Sequence, residues 1–193
     1  MKPDYPYLTP WLEESGALLQ GHFLLSSGLH SSAYVQCARL LEVPDRARRL
    51  GIDLAELVRK YEPESVVSPA LGGLIIGHEV AAALSVPFRF IERVGGEMVL
   101  RRGFSLSAGE RVIVVEDVVT TGKSTLEAAR VAQAAGAQVC AIAAILDRTA
   151  GQQPFAVPFE RLLELVFANY EADSCPMCAD GGDLIKPGSR PVS

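Results

Sequence analysis

A chain of 193 residues is long enough for one domain with a substantial apolar core and short for two. With 49% hydrophobic and 21% charged residues, its composition is that of a folded globular protein and not of a disordered chain. The net charge of −5, from 18 Lys and Arg against 23 Asp and Glu, provides no global field for nucleic acid or anionic lipid, so any anionic substrate must be held by local groups.

The longest apolar run, residues 139–146, is strand-sized and well short of the roughly 18 residues of a membrane span. The opening Met1-Lys2-Pro3-Asp4-Tyr5-Pro6 lacks the apolar stretch of a secretory signal, so a cytoplasmic protein is expected. Thr9-Pro10 reads as an N-cap and a first helical residue, with an acidic first turn at Glu13 and Glu14, and a short helix should follow. Residues 23–25 and 33–37 look like two extended segments joined by a turn at Ser26-Ser27-Gly28, a hairpin that covers something. Pro44 then opens a helix whose apolar positions Ala47, Leu50, Leu54, Leu57, Val58 and Tyr61 recur at helical spacing.

Beyond it, strand and helix alternate: strands at 66–67, 88–91, 98–100, 112–115 and 139–146, helices at 74–84 and 121–135. That rhythm predicts an α/β fold with a mainly parallel sheet. The unbroken apolar runs at 112–115 and 139–146 belong at its centre, where helices cover both faces. Ligands in such sheets bind beyond the carboxyl ends of the strands, which directs attention to residues 69–73, 92–96, 116–124 and 147–151. The tail from Tyr170, rich in Pro, Gly, Asp and Ser, reads as an irregular surface extension. One domain over 1–193 is expected, with a binding core at roughly 44–150 and a hood from roughly 1–40 plus the C-terminal segment.

The most informative stretch is Val112-Ile113-Val114-Val115-Glu116-Asp117-Val118-Val119-Thr120-Thr121-Gly122-Lys123-Ser124-Thr125. A buried strand ends in two carboxylates, and a loop of small hydroxyl residues and glycine enters a helix. The helix start offers unpaired N–H groups and a positive dipole end to a phosphate. Adjacent carboxylates would repel that phosphate, so their partners are sugar hydroxyls or Mg²⁺, and the whole describes a site for a ribose 5-phosphate. A Walker A loop fails on spacing, because its leading glycine would fall on Asp117. A threonine-capped acidic helix start is the remaining structural alternative.

Residues 114–124 resemble the phosphoribosyl-pyrophosphate (PRPP) motif of the type I phosphoribosyltransferases. The resemblance to the orotate phosphoribosyltransferase family extends over nearly the whole chain, through Gly21-His22-Phe23, Ser27-Gly28-Leu29-His30-Ser31, Pro69-Ala70-Leu71-Gly72-Gly73, Asp147-Arg148 and the ending Cys175-Pro176-Met177-Cys178. It is similar to a bacterial subgroup with this cysteine-bearing tail. The resemblance implies magnesium dependence, a homodimer, and formation of orotidine 5′-monophosphate and pyrophosphate in pyrimidine synthesis. It also implies that Ala70, Leu71, Gly72 and Gly73 hold the pyrophosphate and that Glu116 and Asp117 hold the ribose hydroxyls. Val118, Val119, Thr120, Thr121, Gly122, Lys123 and Ser124 complete the PRPP site. Thr120 and Arg148 contact orotate, with the backbone of Tyr34 and Val35 closing over the base. No dedicated protein ligand is expected for Mg²⁺, which PRPP carries. The alternatives are another base or a PRPP-binding regulatory protein, although the chain has no basic stripe for nucleic acid.

Three departures from the family pattern stand out. Many members have lysines where this chain has Ser26 and Gly72, and a long Lys- and His-bearing loop where it has Glu92-Arg93-Val94-Gly95-Gly96-Glu97. Arg93, Arg101 and Arg102 are the nearby cations, and Arg93 is expected on the pyrophosphate, with Asp117 as the other catalytic group. Cys37 and Cys140, in apolar segments, read as core thiols. Cys175-x-x-Cys178 has the spacing of half a zinc site, but four ligands are needed and the only histidines are His22, His30 and His78, which argues against zinc. The favoured reading is two tail thiols packed on the surface and hydrogen-bonded structural roles for His22 and His30.

Overall fold

The computed structural model describes residues 4–25 and 28–186. The hairpin turn at Ser26 and Ser27 lies outside them. In chain order the elements are α1 (Leu8–Glu14), β1 (Leu18–Leu24), β2 (His30–Val35), α2 (Cys37–Leu41), α3 (Pro44–Val58), β3 (Ser65–Pro69), α4 (Gly73–Leu84), β4 (Phe88–Val94), β5 (Glu97–Leu100), β6 (Arg111–Val119), α5 (Lys123–Ala134), β7 (Gln138–Asp147), β8 (Phe159–Glu164), β9 (Asn169–Tyr170) and α6 (Pro176–Ala179). Among the described residues no helix is long and apolar enough to cross a membrane.

A six-stranded sheet in the order β5-β4-β3-β6-β7-β8 forms the centre, parallel except for the β4–β5 hairpin. Its apolar runs have two distinct jobs. Ile113, Val115, Ala141, Ala143 and Ile145 pack on one side with Leu50 and Leu54 of α3 and Ile76 and Val80 of α4. Val112, Val114 and Ile142 pack on the other with Ala128, Ala129 and Ala132 of α5. Successive strand residues point to opposite faces, so a sheet buried on both sides needs apolar residues at consecutive positions. Pro44 occupies the first turn of α3, where a missing N–H costs nothing.

The second sheet, β1-β2-β9, is antiparallel and makes the hood. Here local sequence signals mislead. α1 begins at Leu8 with Tyr7 before it and no side-chain cap, so Thr9 and Pro10 lie inside the first turn and Glu13 and Glu14 close the helix. Burial of Leu8 and Leu12 in the main core sets the start of this helix. β1 starts at Leu18, earlier than the apolar pattern suggests, and Cys37 opens α2 instead of ending a strand.

As far as Lys186 the tail lies largely on the surface, as expected, but it is tied to the hood and not wholly irregular. Asn169 and Tyr170 pair with Ser31 and His30, Phe23 bridges to Ile185, and the Cys175 side chain is buried. The reading of Cys175 as a surface thiol is therefore corrected: tertiary pairing with the hairpin folds a segment whose composition alone looks like loop.

Candidate active site

β6 carries the site outward from the sheet. Glu116 and Asp117 are still strand residues, Glu116 lying opposite Ala144 of β7, so their positions are set by the ladder and not by a loop. Asp117 Oδ1 accepts a hydrogen bond from its neighbour's amide, Val118 N, at 2.8 Å, and Glu116 Oε1 accepts one from Asp117 N at 3.3 Å. Among the described residues neither carboxylate has a cationic partner within salt-bridge reach. Burial pushes the Glu116 carboxyl well above the usual carboxylate range, and the Asp117 charge pushes it further. Burial raises Asp117 as well. In the ligand-free protein the pair is thus short of positive charge or hydrogen-bond donors, which a sugar diol or a hydrated cation can supply.

The turn between β3 and α4 passes directly over these carboxylates. A Cβ on Gly72 would sit 2.7 Å from Asp117 Oδ1, and one on Gly73 would sit 2.9 Å from the Val115 carbonyl oxygen and 3.3 Å from Glu116 Oε1. Only glycine lets the backbone approach so closely. Ala70 N donates to the Ile91 carbonyl at 2.7 Å, the Ala70–Leu71 peptide is cis, and Leu71 is 82% exposed.

At the end of β6, Thr120, Thr121 and Gly122 turn the chain into α5. Gly122 has φ +72°, and a Cβ there would meet Pro154 at 2.9 Å and the Phe155 ring at 3.0 Å, so both conformation and space require glycine. Gly122 places no side-chain cap on the helix; the nearest hydroxyl contact is a long one, Lys123 N to Thr121 Oγ1 at 3.4 Å. The amides at this end face an open groove of about 840 Å³ lined by Thr120, Thr121, Gly122, Lys123, Ser124 and Glu116, among others. Its volume is within the range of about 300–1,000 Å³ usual for small-molecule sites, and its wall has the anion-binding character of a helix start.

A second, smaller cavity of about 240 Å³ adjoins the groove, sharing Val118, Thr120 and Thr121 with it. The hood contributes Tyr34 and Val35 from β2, and β9 contributes Asn169. Arg148, the first residue past β7, forms part of the wall. It is buried at 8% exposure, its Nη2 donates long hydrogen bonds of 3.4 Å to Ser31 Oγ and the Ala33 carbonyl, and its Nε has no partner among the described residues. Its guanidinium carbon lies 4.8 Å from the centre of the Phe167 ring. Burial lowers its pKa, as expected for a cation without an anion. The adjacent Asp147 does not neutralise it, because that carboxylate is taken by Thr149 N at 2.8 Å, Thr149 Oγ1 at 2.7 Å and Arg161 Nε at 3.1 Å.

The structure thus gathers Tyr34, Val35, Thr120 and Arg148 around one cavity, and Glu116 with residues 118–124 around the groove beside it. Arg93 lines the groove too, but its guanidinium is already bound by Glu127 of α5 and the Gly96 carbonyl. Arg101 and Arg102 line neither cavity: Arg102 grips Glu92 with two hydrogen bonds of 3.0 and 3.1 Å, and Arg101 stands 3.9 Å from the same carboxylate. Sequence reasoning missed Asn169 and Arg130, the latter on α5 beside the groove. Helical spacing from Lys123 could have placed Arg130 near the same face; no local signal marks Asn169.

A family profile described as phosphoribosyl transferase domain matches residues 38–172. The orotate phosphoribosyltransferase of Thermotoga maritima is 50% identical over 179 residues, covering 93% of this chain and 96% of that protein. Among solved structures, the orotate phosphoribosyltransferase from Aeropyrum pernix has a TM-score of 0.67 at 29% identity, covering 82% of this chain and 93% of that one. The Leishmania donovani UMP synthase has a TM-score of 0.72 at 26% identity, and the match spans 82% of this chain but 36% of that longer one.

Proposed function

The chain belongs to the phosphoribosyltransferase family and, within it, to the orotate phosphoribosyltransferases, and from that membership and the geometry of the cleft we infer that it transfers the phosphoribosyl group of PRPP to N1 of orotate. The products are orotidine 5′-monophosphate and pyrophosphate, a step of pyrimidine synthesis. The observation that carries the choice of base is Arg148: a buried guanidinium whose Nε has no partner among the described residues, in the wall of a cavity with room for a pyrimidine. A buried unpaired cation is costly, and a planar carboxylate matches its fork.

In the proposed mechanism the 5-phosphate lies on the amides and hydroxyls of Thr120–Ser124, which fixes the ribose against β6. Glu116 and Asp117 accept hydrogen bonds from its 2- and 3-hydroxyls. The glycine turn at 70–73 offers backbone to the pyrophosphate. Orotate, held through its carboxylate by Arg148, presents its deprotonated N1 to the anomeric carbon; the N1–C1′ bond forms as the C1′–O bond to pyrophosphate breaks and the electron pair leaves with pyrophosphate. Positive charge develops on the sugar close to the Glu116–Asp117 pair, so ionised carboxylates there stabilise the transition state more than the ground state. No covalent enzyme intermediate is needed; positioning and electrostatics supply the rate.

We propose Mg²⁺ as the cofactor. PRPP would carry the ion, with no dedicated protein ligand, and the Glu116–Asp117 pair, which has no cationic partner among the described residues, favours added positive charge nearby. When bound, the ion offsets the charge of the pyrophosphate. Homodimerisation in the cytoplasm is part of the same proposal, with Ile52 of α3 and Ile75 of α4, each 44% exposed, offering apolar surface to a second copy.

The test is pyrophosphate release from Mg–PRPP against orotate, uracil, adenine and hypoxanthine. Turnover confined to orotate is expected. Turnover with another base in its place overturns the base assignment, and PRPP binding without turnover of any base would make the protein a sensor.

A further inference from the structure

Four side chains from distant parts of the sequence converge at the hood, none of them lining either cavity. His22 comes from β1, His30 from β2, and Cys175 and Cys178 from the start of α6 and its first turn. One nitrogen or sulfur of each lies within 4.8 Å of the others. His22 Nε2 is 2.9 Å from His30 Nδ1, 3.5 Å from Cys175 Sγ and 3.7 Å from Cys178 Sγ, and Cys178 Sγ is 3.3 Å from His30 Nδ1. A tetrahedral ion with metal–sulfur bonds of about 2.3 Å and metal–nitrogen bonds of about 2.0–2.1 Å separates its ligand atoms by about 3.3–3.8 Å. Three of these four edges lie within that range and the His22–His30 edge is shorter, while the whole set stays within 4.8 Å, close enough for small side-chain shifts to close it around one ion. We propose that His22, His30, Cys175 and Cys178 form a structural Zn²⁺ site that ties the C-terminal segment to the hood hairpin.

Three further observations support zinc over a chance cluster. His22 Nδ1 lies 3.1 Å from the Gly182 carbonyl, so Nδ1 carries the proton and donates it, and Nε2 presents its lone pair to the cluster. An outer hydrogen bond of this kind, fixing tautomer and ring angle, is the usual companion of a histidine ligand. Cys178 N and Ala179 N both donate to the Cys175 carbonyl, at 3.1 and 3.3 Å, a turn that aims both thiols of the Cys-x-x-Cys segment the same way. Finally, His22, His30 and Cys175 are 6%, 4% and 4% exposed, so three of the four donor side chains are held out of bulk water, where a bound ion meets little competition from solvent. His78, the third histidine of the chain, sits on α4 beside Phe88 and takes no part. All four ligand positions are filled, so no coordination site is left for substrate, which marks the site as structural.

The site has a mechanical consequence. The tail is joined to the hood sheet by the two-residue strand β9 and a single bridge at Ile185, yet Asn169 of that strand and Tyr34 of β2 both line the smaller cavity. A metal that joins β1, β2 and α6 holds the cavity wall in place without touching substrate.

The protein should be expressed with zinc in the medium, purified without chelator under reducing conditions, and analysed for metals by mass spectrometry. About one zinc per chain is expected. Replacement by Co²⁺ should give the intense visible bands of a tetrahedral site with thiolate-to-cobalt charge transfer. Cys178→Ser, at an exposed position, should lower zinc content at least tenfold and raise the KM for orotate more than that for PRPP, while Cys140→Ala retains the metal. A wild-type protein with no zinc and no cobalt–thiolate spectrum overturns the proposal, whether its thiols are then found reduced or joined in a Cys175–Cys178 disulfide. Undiminished zinc in Cys178→Ser and Cys175→Ser overturns the ligand assignment. The cobalt spectrum of the wild type decides the matter even if both variants fail to fold.

Discussion

Gly72 and Asp117, 45 positions apart in sequence, are packed so closely that a Cβ on the glycine would stand 2.7 Å from the aspartate Oδ1. Any side chain at position 72, the lysine that the family resemblance implies for many members included, would bring its first carbon against the carboxylate, so the turn or Asp117 would have to shift. Gly72→Ala should therefore displace either the turn or Asp117. Overpacking of this kind costs about 1–3 kcal/mol, so kcat/KM for PRPP should fall by roughly five- to 150-fold with little loss of helix content by circular dichroism. Wild-type kcat/KM in Gly72→Ala would show that the turn moves freely and that its distance from Asp117 is irrelevant to catalysis.

Asp117→Asn keeps the shape of the side chain and removes its charge. Losing one charge-assisted hydrogen bond in the transition state costs about 1.5–3 kcal/mol, which corresponds to a drop in kcat/KM of roughly ten- to 150-fold. Steady-state kinetics with varied PRPP measure it, and an unaffected kcat/KM would remove Asp117 from the reacting region.

Glu116 links the site to stability. Burial and the Asp117 charge hold its folded-state pKa well above the unfolded value. Between those two values the folded chain binds more protons than the unfolded one, so the stability of the ligand-free protein falls as pH rises through that window and levels off above it. Glu116→Gln should flatten this slope, though Asp117, also raised by burial, leaves part of it. At pH 8 the variant should unfold at a higher temperature than the wild type, by about 2–4 °C for each kcal/mol recovered, while losing activity. Thermal melts from pH 5 to 9 without PRPP test this, and a wild-type slope in the variant would mean that the carboxylate is well solvated.

Arg93 answers the need for cations differently from the expectation of a guanidinium waiting for pyrophosphate. It faces the phosphate groove but is neutralised by Glu127 of the same chain. Arg93→Ala should raise the KM for PRPP severalfold with little change for orotate. Glu127→Gln, which releases the guanidinium, should lower the KM for PRPP. Opposite signs in the two variants identify Arg93 as a phosphate-facing group that exchanges partners; no change in either would leave it a surface ion pair, whose worth is at most about 1 kcal/mol.

How much of this was legible in the sequence depends on the range of the forces involved. The parallel sheet and its order of helices were readable because burial on both faces demands unbroken apolar strands such as residues 139–146, and that demand is local. The loop from Thr120 to Ser124 was readable for the same reason, since strand, turn and helix start are contiguous. The close approach of Gly72 to Asp117 and the pairing of Arg93 with Glu127 were not, because each joins segments that meet only after the sheet assembles. The tail was read only in part: its exposure was foreseen, its attachment was not. Its Pro, Gly and Asp content is that of a loop, and its order comes from pairing with β2 and from Cys175 packing against His22, neither of which leaves a periodic trace.

Base choice rests on Arg148. The ladder between β6 and β7 ends with Val119 opposite Asp147, and Arg148 N donates to the Val119 carbonyl at 2.8 Å, so the next side chain leaves the sheet at its carboxyl edge beside Thr120. Asp147 is held by Thr149 and Arg161, which keeps the carboxylate next in sequence from satisfying the guanidinium. Among the described residues its Nε has no partner and its Nη2 bonds are long, so the guanidinium carries an electrostatic cost that orotate's carboxylate can cancel and uracil's hydrogen cannot. A site built around a polar group discriminates strongly against the analogue that lacks it, because the analogue leaves the protein's own group unpaired. Arg148→Leu should therefore lower kcat/KM for orotate by roughly ten- to 150-fold, the worth of about one charged hydrogen bond. Activity with uracil should hold steady or rise, since the leucine no longer charges uracil for burying an unpaired cation. PRPP affinity, set by the neighbouring groove, should change little. Both substrates measured on both proteins decide it: an unchanged orotate-to-uracil ratio would mean that Arg148 does not read the carboxylate, and the residue would then be a structural clamp between Phe167 and the hood strand at Ser31 and Ala33.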